Sequence, residues 1–373
     1  MLDIDGIRLL QTSPGFAEAV ERAYGRRRRP RCLCRPEGIE MYIARLADGH
    51  IVKRMPGTGD RHAPACTSFE PPAELSGVRP LLGSAIREDP ETGLIQLKLG
   101  FPMSRRPGRP GPARPASATG TVSSSCNRLS LRALLHYLWD QAELTRWQPG
   151  FAGRRSWGVV RRQLMRAASR MVTCGEPLLV RLEVPEPFTV EQQDAISARR
   201  RTRWVAASCP GDGKGSMLLL VAEVKEIAPG RHGYKAVIKH LPDLAFTLDE
   251  ALYNRLERRF EQELGLWGAS DGSHLIVIAT FGVGAEGLPR VVELSLMTVT
   301  EHWLPVETVA EKQLLDRLVR NRRSFTKLLR YGMRHEGEMP ILVLTDQGET
   351  TQPVFAEEVD HPCSDPAGTA RGA

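Results

Sequence analysis

The sequence predicts an α+β protein of several domains, and three observations support that fold class. Strand segments joined by turn residues dominate the first hundred positions, amphipathic helices recur from residue 130 onward, and a Pro-, Gly- and Arg-rich stretch separates the two regions. A chain of 373 residues is long enough for two or three domains. We predict a β-rich module at 1–101, a linker at 102–125, a basic helical segment at 126–190, a mixed α+β domain at 191–300, a helix with strands at 301–357 and a disordered tail at 358–373.

The composition is that of a globular protein without membrane or secretory signals. Hydrophobic residues make up 41% and charged residues 25% of the chain, and no apolar run approaches the roughly 20 residues of a membrane span. The N-terminus lacks a basic segment followed by an apolar stretch, and seven Cys without regular spacing do not indicate a disulfide scaffold. We therefore expect a reduced, cytoplasmic protein that does not enter membranes.

The N-terminal module is predicted to contain a β-hairpin flanked by turns. Arg-Pro-Glu-Gly at 35–38 is a turn signal, 39–46 alternates as a strand does, and Asp48-Gly49 predicts a hairpin with a return strand at 50–55. A further strand is predicted at 94–99. A single hairpin has little core of its own, so a metal ion bound beside it would stabilise the module.

Cys32, Cys34, His62 and Cys66 flank this hairpin and form the most informative motif of the chain. Two thiols lie one residue apart, and after 27 intervening residues a His and a Cys follow four positions apart. Three Cys and one His are a ligand set that Zn²⁺ binds tetrahedrally. Because all four positions would be taken by protein ligands, the zinc would have no open site for water, and we predict a structural, zinc-stapled module.

Two alternatives remain open for this motif. His50 is a competing fourth ligand if His62 faces solvent. Any one of the Cys could also be a small buried hydrophobic residue, which is a common role of free Cys in proteins.

Positive charge is concentrated in the middle of the chain. The whole chain has a net charge of +7, whereas 101–170 contains thirteen Arg and no Lys against Asp140 and Glu143, a net charge of +11. This concentration favours a polyanionic partner, and we predict nucleic acid, specifically DNA. The linker carries Arg105, Arg106 and Arg109, which would lie along a phosphate backbone unless the linker is only a disordered spacer.

Two helices are predicted after the linker. Ser130 is suited to cap a helix that runs to about Trp147, and a second helix spans about 156–171. Basic residues recur on and just before the second helix: Arg154, Arg155, Arg162, Arg166 and Arg170. With a strand predicted at 178–182, the helices indicate a winged-helix arrangement that would place the second helix in a DNA groove. The alternative is a helical pair with a solvated basic face.

Residues 190–300 are predicted to form strands around one amphipathic helix. Strands are expected at 217–225, 234–240, 276–281 and 291–299. Leu and Phe residues repeat every four positions between 248 and 264, which predicts the helix. The Gly-rich stretch at 211–216 differs from a phosphate-binding loop because Gly215, not Ser or Thr, follows Lys214, and it is predicted to be a turn.

The C-terminal segment resembles the core of the PD-(D/E)xK nucleases. A helix is expected at about 307–320, followed by strands near 325–331, 341–345 and 354–356. In that family, carboxylates on a helix and on strands hold Mg²⁺ and orient the water that cleaves a phosphodiester bond. The resemblance implies the candidate catalytic residues Glu307, Glu311, Asp346 and Glu357. The motif's Asp and Lys are missing, because Ile341 follows Pro340 and Val359 follows Glu358, so the resemblance implies a degenerate copy that is inactive or truncated.

A second resemblance covers most of the chain, up to about Thr345. The Cys-x-Cys motif with its later Cys, Leu-Leu-His-Tyr-Leu-Trp-Asp-Gln-Ala at 134–142 and Val-Pro-Glu-Pro-Phe at 184–188 resemble an uncharacterised bacterial family of unknown function. That family is noted for three N-terminal cysteines and is often encoded on integrative or conjugative elements. The resemblance assigns the cysteines to Cys32, Cys34 and Cys66, and it implies a mobile-element, DNA-related role without giving an activity.

Three functions fit these patterns. The first is a zinc-containing nucleic-acid-binding protein without catalysis, the second is a Mg²⁺-dependent nuclease, and the third is a non-catalytic scaffold in a DNA-transfer complex. The salt dependence of DNA binding separates the first from the third. Nicking of plasmid DNA with Mg²⁺ or Mn²⁺ tests the second.

Overall fold

The computed structural model describes residues 1–46, 49–105, 127–208, 215–231, 233–284, 287–332 and 339–355. Helices and β-sheets are intermixed along the chain, which confirms the α+β fold class. Most of the predicted linker and the whole predicted tail lie outside the described residues, and the domain boundaries stay a prediction. No helix within the described ranges is long and apolar enough to cross a membrane.

An antiparallel sheet of five strands forms the N-terminal part, in the order β2-β1-β3-β4-β5. Its elements are β1 (Leu2–Ile4), β2 (Ile7–Leu9), α1 (Phe16–Gly25), β3 (Arg31–Cys32), β4 (Ile39–Leu46) and β5 (Gly49–Arg54). The predicted turn is confirmed, because the Gly38 N–H donates to the Arg35 carbonyl at 3.0 Å. The predicted hairpin is confirmed by the pairing of Leu46 with Gly49. α1 buries its apolar face in the same cluster as the sheet.

Two helices and a small sheet follow. The elements are β6 (Ile86–Glu88), β7 (Ile95–Leu97), β8 (Ser104–Arg105), α2 (Leu131–Gln141), β9 (Arg146–Trp147), α3 (Trp157–Ala168), β10 (Met171–Thr173), β11 (Glu176–Pro177) and β12 (Leu182–Glu183). The sheet has the order β11-β10-β7-β6, and β10 runs parallel to β7. Along the chain, α2 and α3 therefore connect two neighbouring strands of this sheet, β7 and β10. Both helices pack in one hydrophobic core with these strands.

Two sequence predictions in this region are wrong in their details. Ser130 caps α2 as predicted, but the helix ends at Gln141 and does not reach Trp147. Glu143 has a φ of 58°, which an α-helix does not accommodate, and the chain then enters β9. Residues 178–180 form a single 3₁₀ turn where a strand was predicted.

The next region contains the longest strands. Its elements are α4 (Gln193–Ser208), β13 (Gly215–Ser216), β14 (Leu218–Pro229), β15 (Tyr234–Ile238), β16 (Ala245–Leu248), α5 (Glu250–Arg259), α6 (Glu261–Ala269), β17 (His274–Val283), β18 (Pro289–Val299) and β19 (Pro305–Val306). The four predicted strands are confirmed. The single helix predicted over 248–264 is wrong, because the chain breaks at Phe260 into α5 and α6.

Five of these strands close into a ring. β14 pairs with β15, β15 with β16, β16 with β18, β18 with β17, and β17 again with β14. Only β16 and β18 are parallel, and α5 and α6 connect β16 to β17. A five-stranded Greek-key barrel of this kind is the architecture of the OB-fold. Phe246 and Phe281 fill its interior, whereas Leu219 and Ile276 on the outer face of β14 and β17 belong to the core that contains α2.

The C-terminal sheet combines distant parts of the chain. Its elements are α7 (Val309–Arg320), β20 (Phe325–Lys327), β21 (Leu342–Leu344) and β22 (Gln352–Val354). The strand order is β22-β21-β20-β9, so a strand from before α3 completes the sheet by pairing Trp147 with Phe325. The predicted helix and the first two strands are confirmed with shorter bounds, and the third strand, predicted near 354–356, lies earlier at Gln352–Val354. α7 packs Leu314, Leu315 and Leu318 against this sheet.

Candidate functional site

The four residues of the Cys/His motif converge at one edge of the N-terminal sheet. Cys32 is the last residue of β3, and Cys34 follows two residues later in the turn that leads to β4. His62 ends a short 3₁₀ turn, and the Cys66 N–H donates to the Ala63 carbonyl at 2.8 Å in the tight loop that follows. The ligand atoms of the four residues all lie within 4.8 Å of one another. We name this group the Cys/His cluster.

The distances inside the Cys/His cluster fit a tetrahedral zinc ion. With Zn–S bonds of about 2.3 Å and Zn–N bonds of about 2.0 Å, a tetrahedral ion holds two sulfurs about 3.8 Å apart and a sulfur and a nitrogen about 3.5 Å apart. The Cys32 and Cys66 sulfurs are 3.6 Å apart. His62 Nδ1 lies 3.4 Å from the Cys34 sulfur and 3.8 Å from the Cys66 sulfur. These three distances agree with tetrahedral coordination, and the four residues could hold a metal ion.

The protonation of the cluster also suits a cation. The hydrogen bond from Cys32 lowers the pKa of the Cys66 thiol to about 3, and the same contact raises the pKa of Cys32. Burial raises the pKa of the Cys34 thiol. One sulfur is thus held as a thiolate beside two thiols whose pKa is raised, and a bound dication would displace their protons and offset two of the three thiolate charges. His62 is fully buried, and its Nε2 has no hydrogen-bond partner among the described residues.

Backbone and side-chain contacts fix the loop of the cluster. The Ala63 N–H lies 3.5 Å from the Cys34 sulfur, and the Ser68 N–H lies 3.4 Å from the Cys66 sulfur, as expected for donors to thiolates. Arg146 of β9 donates to the carbonyls of Thr67, at 2.7 Å, and of Cys66. The alternative ligand His50 is excluded from the cluster, since it lies on β5 with its ring 4.3 Å from that of Tyr24.

Comparison with known proteins identifies the family of the chain. Residues 2–366 match the family described as "Protein of unknown function (DUF1173)". The chain belongs to this family. This match confirms the predicted membership of an uncharacterised family of unknown function. No curated protein and no solved structure matches it.

The candidate carboxylates on and before α7 form ion pairs with Lys and Arg side chains of the protein. Glu311 is 4% exposed, and its Oε2 lies 3.5 Å from the equally buried Lys327 ammonium. The same oxygen accepts the Glu307 N–H at 2.9 Å at the start of the helix. Glu307 in turn lies 2.7 Å from the Arg132 guanidinium and 3.5 Å from that of Arg330.

Asp346, a further candidate carboxylate, has partners of its own and does not form a common site with Glu307 and Glu311. Asp346 receives two hydrogen bonds from Arg323, at 2.9 and 2.8 Å, and one from the Ser324 N–H at 2.8 Å. Glu357 lies outside the described residues. Within the described part of the chain, the Cys/His cluster is the one group with the geometry to hold a metal ion, and Glu307, Glu311 and Asp346 do not form another.

The predicted basic residues divide into a surface group and an internal group. Arg154, Arg162 and Arg166 are exposed on and before α3. Arg155 is taken up inside the protein, since it donates to the carbonyls of Leu144, His302 and Arg146. Burial lowers the pKa of Arg155 to about 10.

Arg170 is likewise internal. It is 3% exposed and lies 3.6 Å from Glu88 and 3.3 Å from the Tyr42 hydroxyl. Among the linker arginines, Arg106 and Arg109 lie outside the described residues, and only the backbone of Arg105 is described, in β8.

The sequence did not reveal a second basic surface, which lies on the barrel. On the outward side of β15 and β16, Lys235 is exposed and lies opposite the half-buried Thr247, and Val237 lies opposite Ala245, both half-buried. Arg231, in the connection from β14 to β15, is also exposed. We name these two strands and this connection the barrel face. The sequence predicted the strand β15, but it did not predict the closure of the barrel, which brings β15 and β16 together in one surface.

Proposed function

We propose that this protein binds single-stranded nucleic acid on the barrel face and that a structural zinc ion holds its N-terminal module. The observation that carries the proposal is the closed β14-β15-β16-β18-β17 barrel, whose β15–β16 face is partly exposed and carries Lys235. In OB-folds, the corresponding second and third strands and the adjoining loops bind oligonucleotides or oligosaccharides. The fold alone does not assign a ligand, so the proposal also depends on the charge of the face.

The charge of the barrel face favours a polyanion. Arg231 and Lys235 are exposed, and neither forms an ion pair with the described residues. Lys225, in the β14 bulge beside this face, is exposed as well. Cations without internal partners remain available to phosphate groups, and each phosphate contact displaces a condensed counterion. An uncharged oligosaccharide would gain nothing from these cations.

The barrel face also offers aromatic and apolar surface for bases. The rings of Tyr234 and Tyr253 stack with centroids 3.4 Å apart at the start of β15, and both side chains are half-buried. Val237 and Ala245 lie on the outward side of the strands, whereas Tyr234 packs against the interior cluster of the barrel, so the tyrosine pair borders the barrel face. Single-strand-binding proteins combine such stacking surfaces with a basic groove, because unpaired bases expose their flat faces.

The zinc proposal depends on the closed ligand set. The Cys/His cluster supplies three sulfurs and one ring nitrogen at tetrahedral spacing, which leaves no coordination position for water. Such an ion stabilises structure and does not activate a nucleophile. A nuclease function is not supported, since the carboxylates it would use are paired with Lys327, Arg132 and Arg323.

A second surface for the same function is α3. Arg154, Arg162 and Arg166 are exposed, and within the described ranges they form no ion pair. On a helix, arginines four residues apart lie on one face and would span neighbouring phosphates of a duplex. The helix thus favours duplex DNA, whereas the barrel face favours a single strand.

Fluorescence anisotropy with labelled oligothymidylate and a DNA duplex over a salt series tests the proposal. The double variant Arg231→Glu/Lys235→Glu should weaken single-strand binding and reduce the slope of log K against log salt by about 1.4, since each lost contact removes about 0.7. Arg162→Glu/Arg166→Glu should leave this slope unchanged and reduce only duplex binding.

The control for both variants is Arg22→Glu/Lys98→Glu, which changes the charge equally on exposed residues of other elements. If the control lowers the slope as much as the barrel-face variant, binding depends on net charge alone and the barrel face is excluded. If no oligonucleotide binds at low salt, the proposed function is wrong, and the scaffold alternative, in which the basic surface meets an acidic protein in a DNA-transfer complex, becomes the leading hypothesis.

A further inference from the structure

A cavity of about 640 Å³ lies where the N-terminal sheet, α2 and the chain after β20 meet. Pockets that take small-molecule ligands have volumes of about 300–1,000 Å³. Gly59, Asp60 and Glu70 line the cavity, and the chain between Asp60 and Glu70 carries His62 and Cys66 of the Cys/His cluster. A metal ion in the cluster would therefore fix one wall of the cavity.

Most charged groups of the wall have partners within the protein. Arg54 Nη2 lies 2.6 Å from Glu70 Oε2. Glu88 accepts the Tyr42 hydroxyl at 2.6 Å and lies 3.6 Å from the Arg170 guanidinium. These pairs compensate one another and need no ligand.

Lys53 and Asp140, which also line the cavity, form no ion pair with the described residues. Lys53, half-buried on β5, forms no hydrogen bond or ion pair with the described residues through its ammonium group. Asp140 of α2 accepts a single hydrogen bond, from the Thr145 hydroxyl to Oδ1 at 3.1 Å, and has no ion pair within the described part. Tyr331, only 4% exposed, lines the same cavity with a hydroxyl that has no described partner. The Tyr331 hydroxyl is withdrawn from water without a partner, which is costly, and the Lys53 ammonium and the Asp140 carboxylate remain open to the cavity, so a ligand there could engage all three groups.

The pKa values of the two charged groups agree with this geometry. Burial, together with the neighbouring Arg170 and Arg54, lowers the pKa of Lys53 to about 7. Burial, together with the neighbouring Glu70, raises the pKa of Asp140 to about 7. Burial is the largest cause in both groups, and it outweighs the opposing effect of Glu88 on Lys53 and of Arg54 on Asp140, although both groups line one cavity.

We propose that this cavity binds a small organic phosphate that carries N–H donor groups, with a mononucleotide as the representative ligand. The Lys53 ammonium meets the phosphate as a point charge, which is a common role of Lys. Asp140 accepts N–H groups of the base, and the Tyr331 hydroxyl makes a further hydrogen bond. A simple anion would pair with Lys53 but would offer Asp140 no hydrogen-bond donor. The ligand therefore needs both a phosphate group and an N–H donor.

Isothermal titration calorimetry of the zinc-loaded, full-length protein tests this inference with AMP, GMP, CMP and UMP as probes and inorganic phosphate and nucleosides as comparators. At least one mononucleotide should bind once per chain and at least about tenfold more tightly than inorganic phosphate or its own nucleoside. Lys53→Gln and Asp140→Asn should each weaken this binding about tenfold or more, because each removes a hydrogen bond to a charged group. The matched control Lys98→Gln, at an exposed Lys outside the cavity, should leave it unchanged.

Three results would overturn the inference: no mononucleotide binds, inorganic phosphate binds as tightly, or Lys53→Gln binds as the unmodified protein does. Should the variants fail to fold, protection of Lys53 against acetic anhydride by the bound mononucleotide, measured by mass spectrometry of the unmodified protein, replaces them. Lys53 acetylated equally with and without the nucleotide would then contradict the inference. The variant Arg231→Glu/Lys235→Glu should retain mononucleotide binding, which distinguishes this cavity from the barrel face.

Discussion

Two groups of side chains in this protein have the composition of a metal site, and only one of them converges. The ligand atoms of the Cys/His cluster lie within 4.8 Å of one another, although they come from two segments separated by a hairpin. Glu307, Glu311 and Asp346 belong to neighbouring elements of the C-terminal region, and yet they form no such group within the described residues.

The difference lies in where the compensating charge is found. Glu311 has Lys327 beside it, and Asp346 has Arg323, so these carboxylates are neutralised by the protein itself. The sulfurs of the Cys/His cluster contact one another, a His and backbone N–H groups, with no Lys or Arg among the contacts described. Arg146 lies nearby but donates to the Cys66 and Thr67 carbonyls, so the sulfurs themselves are left for a cation from outside.

Removing one ligand of the Cys/His cluster should have the largest effect. Cys66→Ser should abolish stoichiometric zinc and lower the free energy of unfolding by about 4 kcal/mol or more, as losses of a structural metal do. Elemental analysis and chemical denaturation measure the two quantities. The matched control is Cys174→Ser, at an exposed free Cys outside the cluster. Equal zinc content in both variants would mean that the cluster binds no zinc.

Glu311 should behave as a structural residue. Glu311→Gln leaves the Lys327 ammonium buried without its counter-charge, and we expect a loss of about 3 kcal/mol in the free energy of unfolding with zinc content unchanged. Asp316→Asn, on the same helix, breaks only the pair with Lys312 and should cost about 0.5 kcal/mol or less. A Glu311→Gln variant of unchanged stability that loses Mg²⁺-dependent DNA nicking would instead restore the nuclease interpretation.

Lys53 and Asp140 should show the opposite sign, since neither forms an ion pair with the described residues. The lowered pKa of Lys53, about 7 against about 10.4 when unfolded, makes the charged form costly at pH below about 7, and the cost disappears as pH rises to about 10. The raised pKa of Asp140, about 7 against about 3.9, makes its cost absent below about pH 4 and complete above about pH 7.

Lys53→Met should therefore raise the free energy of unfolding by about 2 kcal/mol at pH 6 and by nothing near pH 10. Asp140→Asn should raise it by about 2 kcal/mol at pH 8 and by nothing at pH 4. Denaturant melts across this pH range measure both. Destabilisation by either variant at its diagnostic pH would mean that the native group has a partner in the protein, and the contrast with Glu311 would fail.

The Cys/His cluster was predictable because its signal is local. Each ligand pair lies within five residues of sequence, and the hairpin that brings the pairs together has its own turn signal. The choice of His62 over His50 was not predictable, since it depends on which way β5 faces its sheet. Helix caps such as Ser130 were read correctly for the same local reason.

The barrel and the cavity were not predictable, because both depend on pairings between distant segments. β16 meets β18 across two helices, and β9 joins a sheet whose other strands begin at Phe325. The pairing of Arg170 with Glu88 also depends on such long-range packing, and an arginine counted as a phosphate ligand proved to be internal. A single sequence shows charge and periodicity, but it does not show which charges face one another.

The smallest effect should come from Asp346, whose partner is partly exposed. Hydrogen bonds from Arg323 and the Ser324 N–H outweigh partial burial and lower the pKa of Asp346. This stabilisation is present above the unfolded pKa of about 3.9 and is lost as pH falls through the lower folded value. Asp346→Asn should thus cost about 1 kcal/mol at pH 7 and progressively less below pH 4, measured by denaturant melts. Because the carboxylate already has its cation, Mg²⁺ should not change the difference between the two proteins. A Mg²⁺-dependent difference would show that Asp346 can bind an outside cation, and the distinction drawn between the two groups would no longer hold.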